Sequence, residues 1–227
     1  VAEPTEFLLA FRLAGSIRRS NHAESTAGAL KDQRMGCRLT IPETDGVTRM
    51  RIETSAGLVE VLNEPTYRFG STDNARSYSF ARNLADESRP SSIHGLILDG
   101  SPIAVFGRGG GASGVHERSL VYVEGLLYLA VGDCVVCIDP KPFSFKWMLQ
   151  TDSATCFGVH FDERHRALIS HGELEISRFS SDGNLMWSVS GEDIFTGRFS
   201  LHPEYVEAID WNDRVYRFSY DNGNLCA

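Results

Sequence analysis

A chain of 227 residues, 42% hydrophobic and 23% charged, is long enough to bury a sizeable core as one large β domain or two small ones. It holds no polar low-complexity tract and no apolar run of membrane-spanning length, which excludes disorder and a membrane span and describes a soluble globular protein. The net charge of −8 falls on one half, since residues 1–113 carry 13 basic and 13 acidic side chains and residues 114–227 carry 9 and 17; such a surface repels phosphate backbones, so no nucleic acid is expected and a basic or neutral partner fits better.

From the N-terminus, Phe7 to Ile17 is free of Pro and rich in Leu and Phe, a pattern open to either a short amphipathic helix or a strand. The polar stretch from Arg18 to Arg34 reads as a long loop, with a helical turn over Ala27 to Gln33 as one option. Strands are then expected at Cys37 to Ile41, Val47 to Glu53, Leu58 to Leu62, Thr66 to Phe69, Tyr78 to Ala81, Leu96 to Leu98 and Ile103 to Phe106, all short and bounded by Gly, Pro, Asp or Asn. Hairpins are predicted around Ser55-Ala56-Gly57 and Asp99-Gly100, and the region 1–113 has room for two diverged four-stranded units.

The run Gly107-Arg108-Gly109-Gly110-Gly111-Ala112 formally matches a dinucleotide-binding fingerprint, but the sequence after it reads as a turn and a strand where the fingerprint needs a helix. A mobile connector is the expected role, with Arg108 placed to touch a partner.

From residue 114 onwards a period appears. Three windows of 22 residues, starting at Leu126, Arg166 and Val206, align without gaps at an offset of forty, and Trp147 and Trp187 share a position. Each window holds an apolar run, a turn (Gly132, Gly172, Asn212), a second run, a polar turn and a third strand. Asp182-Gly183-Asn184 and Asp221-Asn222-Gly223 in the second turn accept positive φ at low cost. A further strand precedes each window and carries a histidine: His116, His160 and His202. Four antiparallel strands in about forty residues describe a propeller blade.

The stretches VVCIDPKPFSFKW and ISRFSSDGNLMW resemble the quinoprotein-type β-propeller repeat, over residues 114–227. The copies depart from it at Pro140 and Pro142 and at Ala227, where Trp would stand. That resemblance implies an all-β fold of small-propeller or half-propeller type built from four-stranded antiparallel units. It implies no activity, and no cofactor, quinone included, is carried over. A strand from Phe7 to Leu13 would complete the last unit and close the ring; an open half-propeller beside a separate N-terminal β region is the alternative.

Cys134 and Cys137 have C-x-x-C spacing, yet residues three apart on a strand point to opposite faces, so two buried thiols are expected and no metal. Five cysteines form no disulfide framework and favour a reducing, cytoplasmic compartment, although the start at Val1 leaves any leader segment undetermined. The three repeated histidines suit a structural turn better than an acid-base set. Trp147 and Trp187 are expected between blades. Trp211, out of register with them, is expected to be exposed; with Glu204, Glu207, Asp210, Asp213 and Arg108 it makes the candidate binding patch. No nucleophile elbow is present. The functional expectation is a non-enzymatic module that binds a protein partner, with a carbohydrate-binding or carbohydrate-cleaving propeller as the alternative.

Overall fold

In the computed structural model the described residues are 48–85 and 89–226, and every regular element among them is a strand. None is a helix long and apolar enough to cross a membrane. The expected elements at 7–17, 18–34 and 37–41 lie outside the described residues.

The first sheet comprises β1 (Arg49–Thr54), β2 (Gly57–Asn63), β3 (Phe80–Asn83), β4 (Ser92–Leu98) and β5 (Ser101–Arg108), ordered β1-β2-β4-β5-β3. Residues 49–108 thus form one five-stranded sheet where the sequence left room for two units. Its pairs are antiparallel except β3 with β5, which run parallel from Phe80↔Ala104 to Asn83↔Gly107. Both predicted hairpins are present. At Asp99 (φ 49) and Gly100 (φ 80) the backbone is left-handed at both central positions, the mirror-image turn that matches strand twist.

Three meanders follow. One holds β6 (Leu120–Val123), β7 (Leu126–Val131), β8 (Cys134–Pro140) and β9 (Phe143–Gln150); the next holds β10 (Cys156–Asp162), β11 (Ala167–Gly172), β12 (Glu175–Phe179) and β13 (Leu185–Ser190); the last holds β14 (Phe199–Leu201), β15 (Tyr205–Ile209) and β16 (Val215–Ser219). The fourth strand of the last meander is begun by the chain itself, because Leu225 bridges to Phe218 and the Cys226 amide donates to the Arg217 carbonyl at 2.7 Å. Four sheets of this kind, packed face to face in sequence order, make an all-β, propeller-like architecture.

Side-chain alternation explains the packing. On β8, Cys134, Val136 and Ile138 face the five-stranded sheet, while Val135 and Cys137 face the β10–β13 sheet. Both rows are buried, so this strand reads as an unbroken apolar run. A third core, with Ile169, Ile176, Phe195, Val206, Ala208 and Phe218, joins the β10–β13 and β14–β16 sheets.

Tryptophans lock successive sheets. The Trp147 ring lies on the turn at Gly183, where an added Cβ would come within 2.7 Å of it, and its indole N–H donates to the Ser181 carbonyl at 3.0 Å. Trp187 repeats the arrangement on Gly223, donating to the Tyr220 carbonyl at 2.8 Å. The glycines at these turns therefore serve both positive φ (82° and 73°) and close approach.

The period of forty holds for the tryptophans but slips on the inner strands. Ladder pairing sets Tyr128, Cys137 and Trp147 in one row, Ile169, Arg178 and Trp187 in the next, and Glu207 with Arg217 in the third. Tyr128 and Ile169 are 41 positions apart and Ile169 and Glu207 are 38 apart. A gap-free offset of forty would match Tyr128 to Leu168, which points to the opposite face, since one residue of slip reverses every side chain of a strand.

Trp187→Ala is expected to lower unfolding free energy by about 3–5 kcal/mol, read as a shift in urea midpoint. A loss below about 1 kcal/mol would show that the ring does not lock the sheets.

Candidate functional site

The hairpin between β15 and β16 carries the most exposed large apolar side chain among the described residues, Trp211, at 67% exposure. Its loop, 210–214, is built on Asp210. One carboxylate oxygen accepts from the amides of Asn212 (2.9 Å) and Arg214 (3.0 Å), and the other accepts from the Tyr216 hydroxyl (2.8 Å). Burial would raise the Asp210 carboxyl, but hydrogen bonds from the Arg214 amide, the Tyr216 hydroxyl and the Asn212 amide outweigh it and hold the group below the ordinary carboxylate range. At 2% exposure Asp210 is the internal brace of the loop.

A second segment, the connection between β13 and β14, holds the loop from the side. The Trp211 amide donates to the Ile194 carbonyl at 2.8 Å, and the Asn212 side chain donates to Asp193 at 2.8 Å. Arg214 pairs with Glu192, whose amide donates to the Tyr216 hydroxyl at 2.8 Å. Beneath them Phe195 is fully buried and edge-on to Tyr216 at 5.5 Å. The result is an exposed indole on a braced backbone, collared by the exposed carboxylates of Glu192, Asp193 and Asp213.

Of the residues singled out from sequence, Trp211 and Asp213 lie together on this surface and Asp210 lies under it. Glu204 precedes β15 at the end away from Trp211, and at about 3.3 Å per residue the five-residue strand sets them roughly 20 Å apart. Glu207, 6% exposed, is engaged within the β14–β16 sheet by Arg217 (3.2 Å), Arg198 (3.4 Å) and His202 (3.7 Å). Arg108 is turned inward, bonded to Asp133 at 2.5 Å and to the Leu84 carbonyl at 2.6 Å. Glu192 and Asp193 were not legible as site residues, because they meet Trp211 from about 20 positions away and no local pattern marks that contact.

The glycine run is packed rather than mobile. An added Cβ on Gly110, at φ 89°, would lie 2.4 Å from the Ala154 carbonyl oxygen, and one on Gly111 would overlap the Thr155 hydroxyl. The segment passes over the turns at Gly132 and Asp152 where no side chain fits.

Cys134 and Cys137 occupy opposite faces of β8, as alternation requires. Burial pushes the Cys137 and Cys156 thiols up to about 12 and Cys134 further, so all three stay protonated. Among the described residues no group of three or more His, Cys, Asp or Glu is arranged to hold a metal.

The histidines are not repeated in three dimensions. His116 lies in the connection before β6, His160 in the middle of β10 and His202 just after β14. His202 stacks on Tyr205 at 4.6 Å, whereas His160 and His171 pack against Phe199 at 4.4 and 4.7 Å. Burial, then His171, Arg118 and His116, lower His160 to about 3; burial and His116 lower His171 to about 4. Their folded values lie below the unfolded value, so the neutral forms stabilise the fold at neutral pH. That stability is lost as pH falls from about 6.5 towards 4, by at most about 1.4 kcal/mol per pH unit for each histidine. Thermal denaturation between pH 7 and 4.5 should show the loss, and His160→Phe with His171→Phe should flatten it; an equal slope in the variant would place the pH dependence elsewhere.

No family model matches the chain, and no curated protein matches it. Among solved structures it is similar to the crystal structure of BamB from Moraxella catarrhalis, at 15% identity and a TM-score of 0.42, over 79% of this chain and 57% of that one. The chain therefore spans a little over half the length of that structure.

Proposed function

We propose that the protein is a non-enzymatic interaction module whose contact centre is Trp211. The observation that supports this reading is a large indole, two-thirds exposed, on a hairpin fixed by side chains of a neighbouring connection. Hydrophobic burial favours covering such a ring, and a held aromatic loses little conformational entropy when a partner covers it. Binding hot spots are enriched in Trp for these reasons. With the charge of Glu192 met by Arg214, the carboxylates of Asp193 and Asp213 fit a partner surface that is basic or neutral and repel an acidic one. The resemblance to a quinoprotein-type repeat is compatible with this role and with an enzyme alike, and carries no weight between them.

The test is capture from a lysate of the source organism with wild type and Trp211→Ala, followed by affinity measurement on the protein retained. The substitution is expected to weaken binding by about 30-fold or more, equivalent to about 2 kcal/mol, while leaving the melting temperature within a degree or two. Unchanged affinity would remove Trp211 from the interface, and retention of glycans instead of a protein would favour the carbohydrate reading.

A second prediction concerns charge. Asp193→Asn with Asp213→Asn keeps side-chain size, and Asn tolerates the left-handed backbone at position 213 (φ 61). The pair is expected to slow association and to flatten its dependence on salt, with little effect on dissociation. Stopped-flow association at two ionic strengths reads this out.

A further inference from the structure

The far face of the five-stranded sheet, remote from the stack, is covered by the segment between β2 and β3. Its aromatic residues pack edge-on in a chain, Tyr67 with Phe69 at 5.2 Å and 77°, and Tyr67 with Tyr78 at 5.7 Å and 73°. Two glycines in the sheet make the room. An added Cβ on Gly95 of β4 would strike the Tyr78 hydroxyl, and one on Gly107 of β5 would lie 2.5 Å from Phe69 and 2.7 Å from Pro90. Tyr78 is fixed further by its bond to Glu64 at 2.6 Å, and Arg76 pairs with the same carboxylate at 3.0 Å. The rings are therefore seated in dimples of the sheet.

Between these walls lies a cleft of about 540 Å³, lined by Tyr67, Phe69, Pro90 and Ile93, with Arg68 and Arg89 exposed beside them. That volume falls within the range of small-molecule sites. Among the described residues the lining contains two arginines and no acidic residue, in a protein of net charge −8. Among the described residues neither guanidinium has a hydrogen-bond or ion-pair partner, whereas Arg76, a few residues on, is paired. Tyr67 adds a donor, since burial and the Glu64 carboxylate push its hydroxyl up and keep it protonated. An apolar aromatic wall beside two unspent forked donors is complementary to a flat apolar body bearing a carboxylate.

We propose that this cleft binds a small aromatic carboxylate, its ring against Tyr67 and Phe69 and its carboxylate between Arg68 and Arg89. The site is separate from the Trp211 surface and does not depend on that reading.

The probe is 3-phenylpropanoate, titrated by NMR in the range on the order of millimolar, beside neutral 3-phenylpropanamide and cationic 3-phenylpropylamine. Saturable binding of the acid is expected, with the amide at least tenfold weaker and the amine weaker still. Arg68→Gln with Arg89→Gln should weaken the acid at least tenfold, leave the amide unchanged and leave the melting temperature unmoved. Phe69→Ala should weaken acid and amide together. The proposal is overturned if no acid binds, if the three probes bind alike, or if the double variant holds the acid as tightly as wild type.

Discussion

Burial of sheets on both faces is the constraint on which the rest of the molecule depends. A sheet covered on one side can alternate apolar and polar residues, but the β6–β9 sheet is sandwiched between two others and cannot. Its central strand accordingly presents Cys134, Val136 and Ile138 to one neighbour and Val135 and Cys137 to the other. The thiols are small hydrophobes in this setting, which accounts for a C-x-x-C spacing without metal chemistry. Desolvation also falls on the polar groups at the sheet ends. The buried Asp152 carboxylate meets it by accepting the amides of Ala154, Thr155, Leu174 and Glu175 at 2.6 to 2.9 Å, tying one sheet's exit to the next sheet's turn.

Once the sheets are stacked, hairpins and connections are the segments that leave the stack. The Trp211 hairpin and the aromatic cap at the other end of the sheet series are both such places. Each is rigid for a local reason: an internal carboxylate in the first, glycine dimples in the second. A backbone held in this way would lose little entropy if a ligand covered it.

Much of this was legible in the sequence and some was not. The turn at Asp99-Gly100, the recurrence of Trp147 and Trp187 and the exposure of Trp211 follow from local chemistry, and each is found in place. Thr66 to Phe69 has strand composition but forms the cap, because Tyr67 and Phe69 are buried by lying on a sheet rather than by joining one. Arg108 was expected at a partner surface; its charge is met instead by Asp133, 25 positions away. The collar of Glu192 and Asp193 was hidden for the same reason. Contacts between successive units are set by how sheets pack, and a single sequence carries no mark of them.

The slipping period has a consequence for anyone who engineers this chain as a repeat protein. Averaging the units at a constant offset of forty would place Tyr128 over Leu168, so a consensus strand would inherit inward residues from one unit and outward residues from another. The natural units differ from one another in turn length and in strand pattern. The turn between β7 and β8 is two residues and that between β15 and β16 is five. Loop insertions here are therefore not neutral spacers: each odd step exchanges the solvent side of a strand for its core side, and has to be accompanied by a rewritten strand.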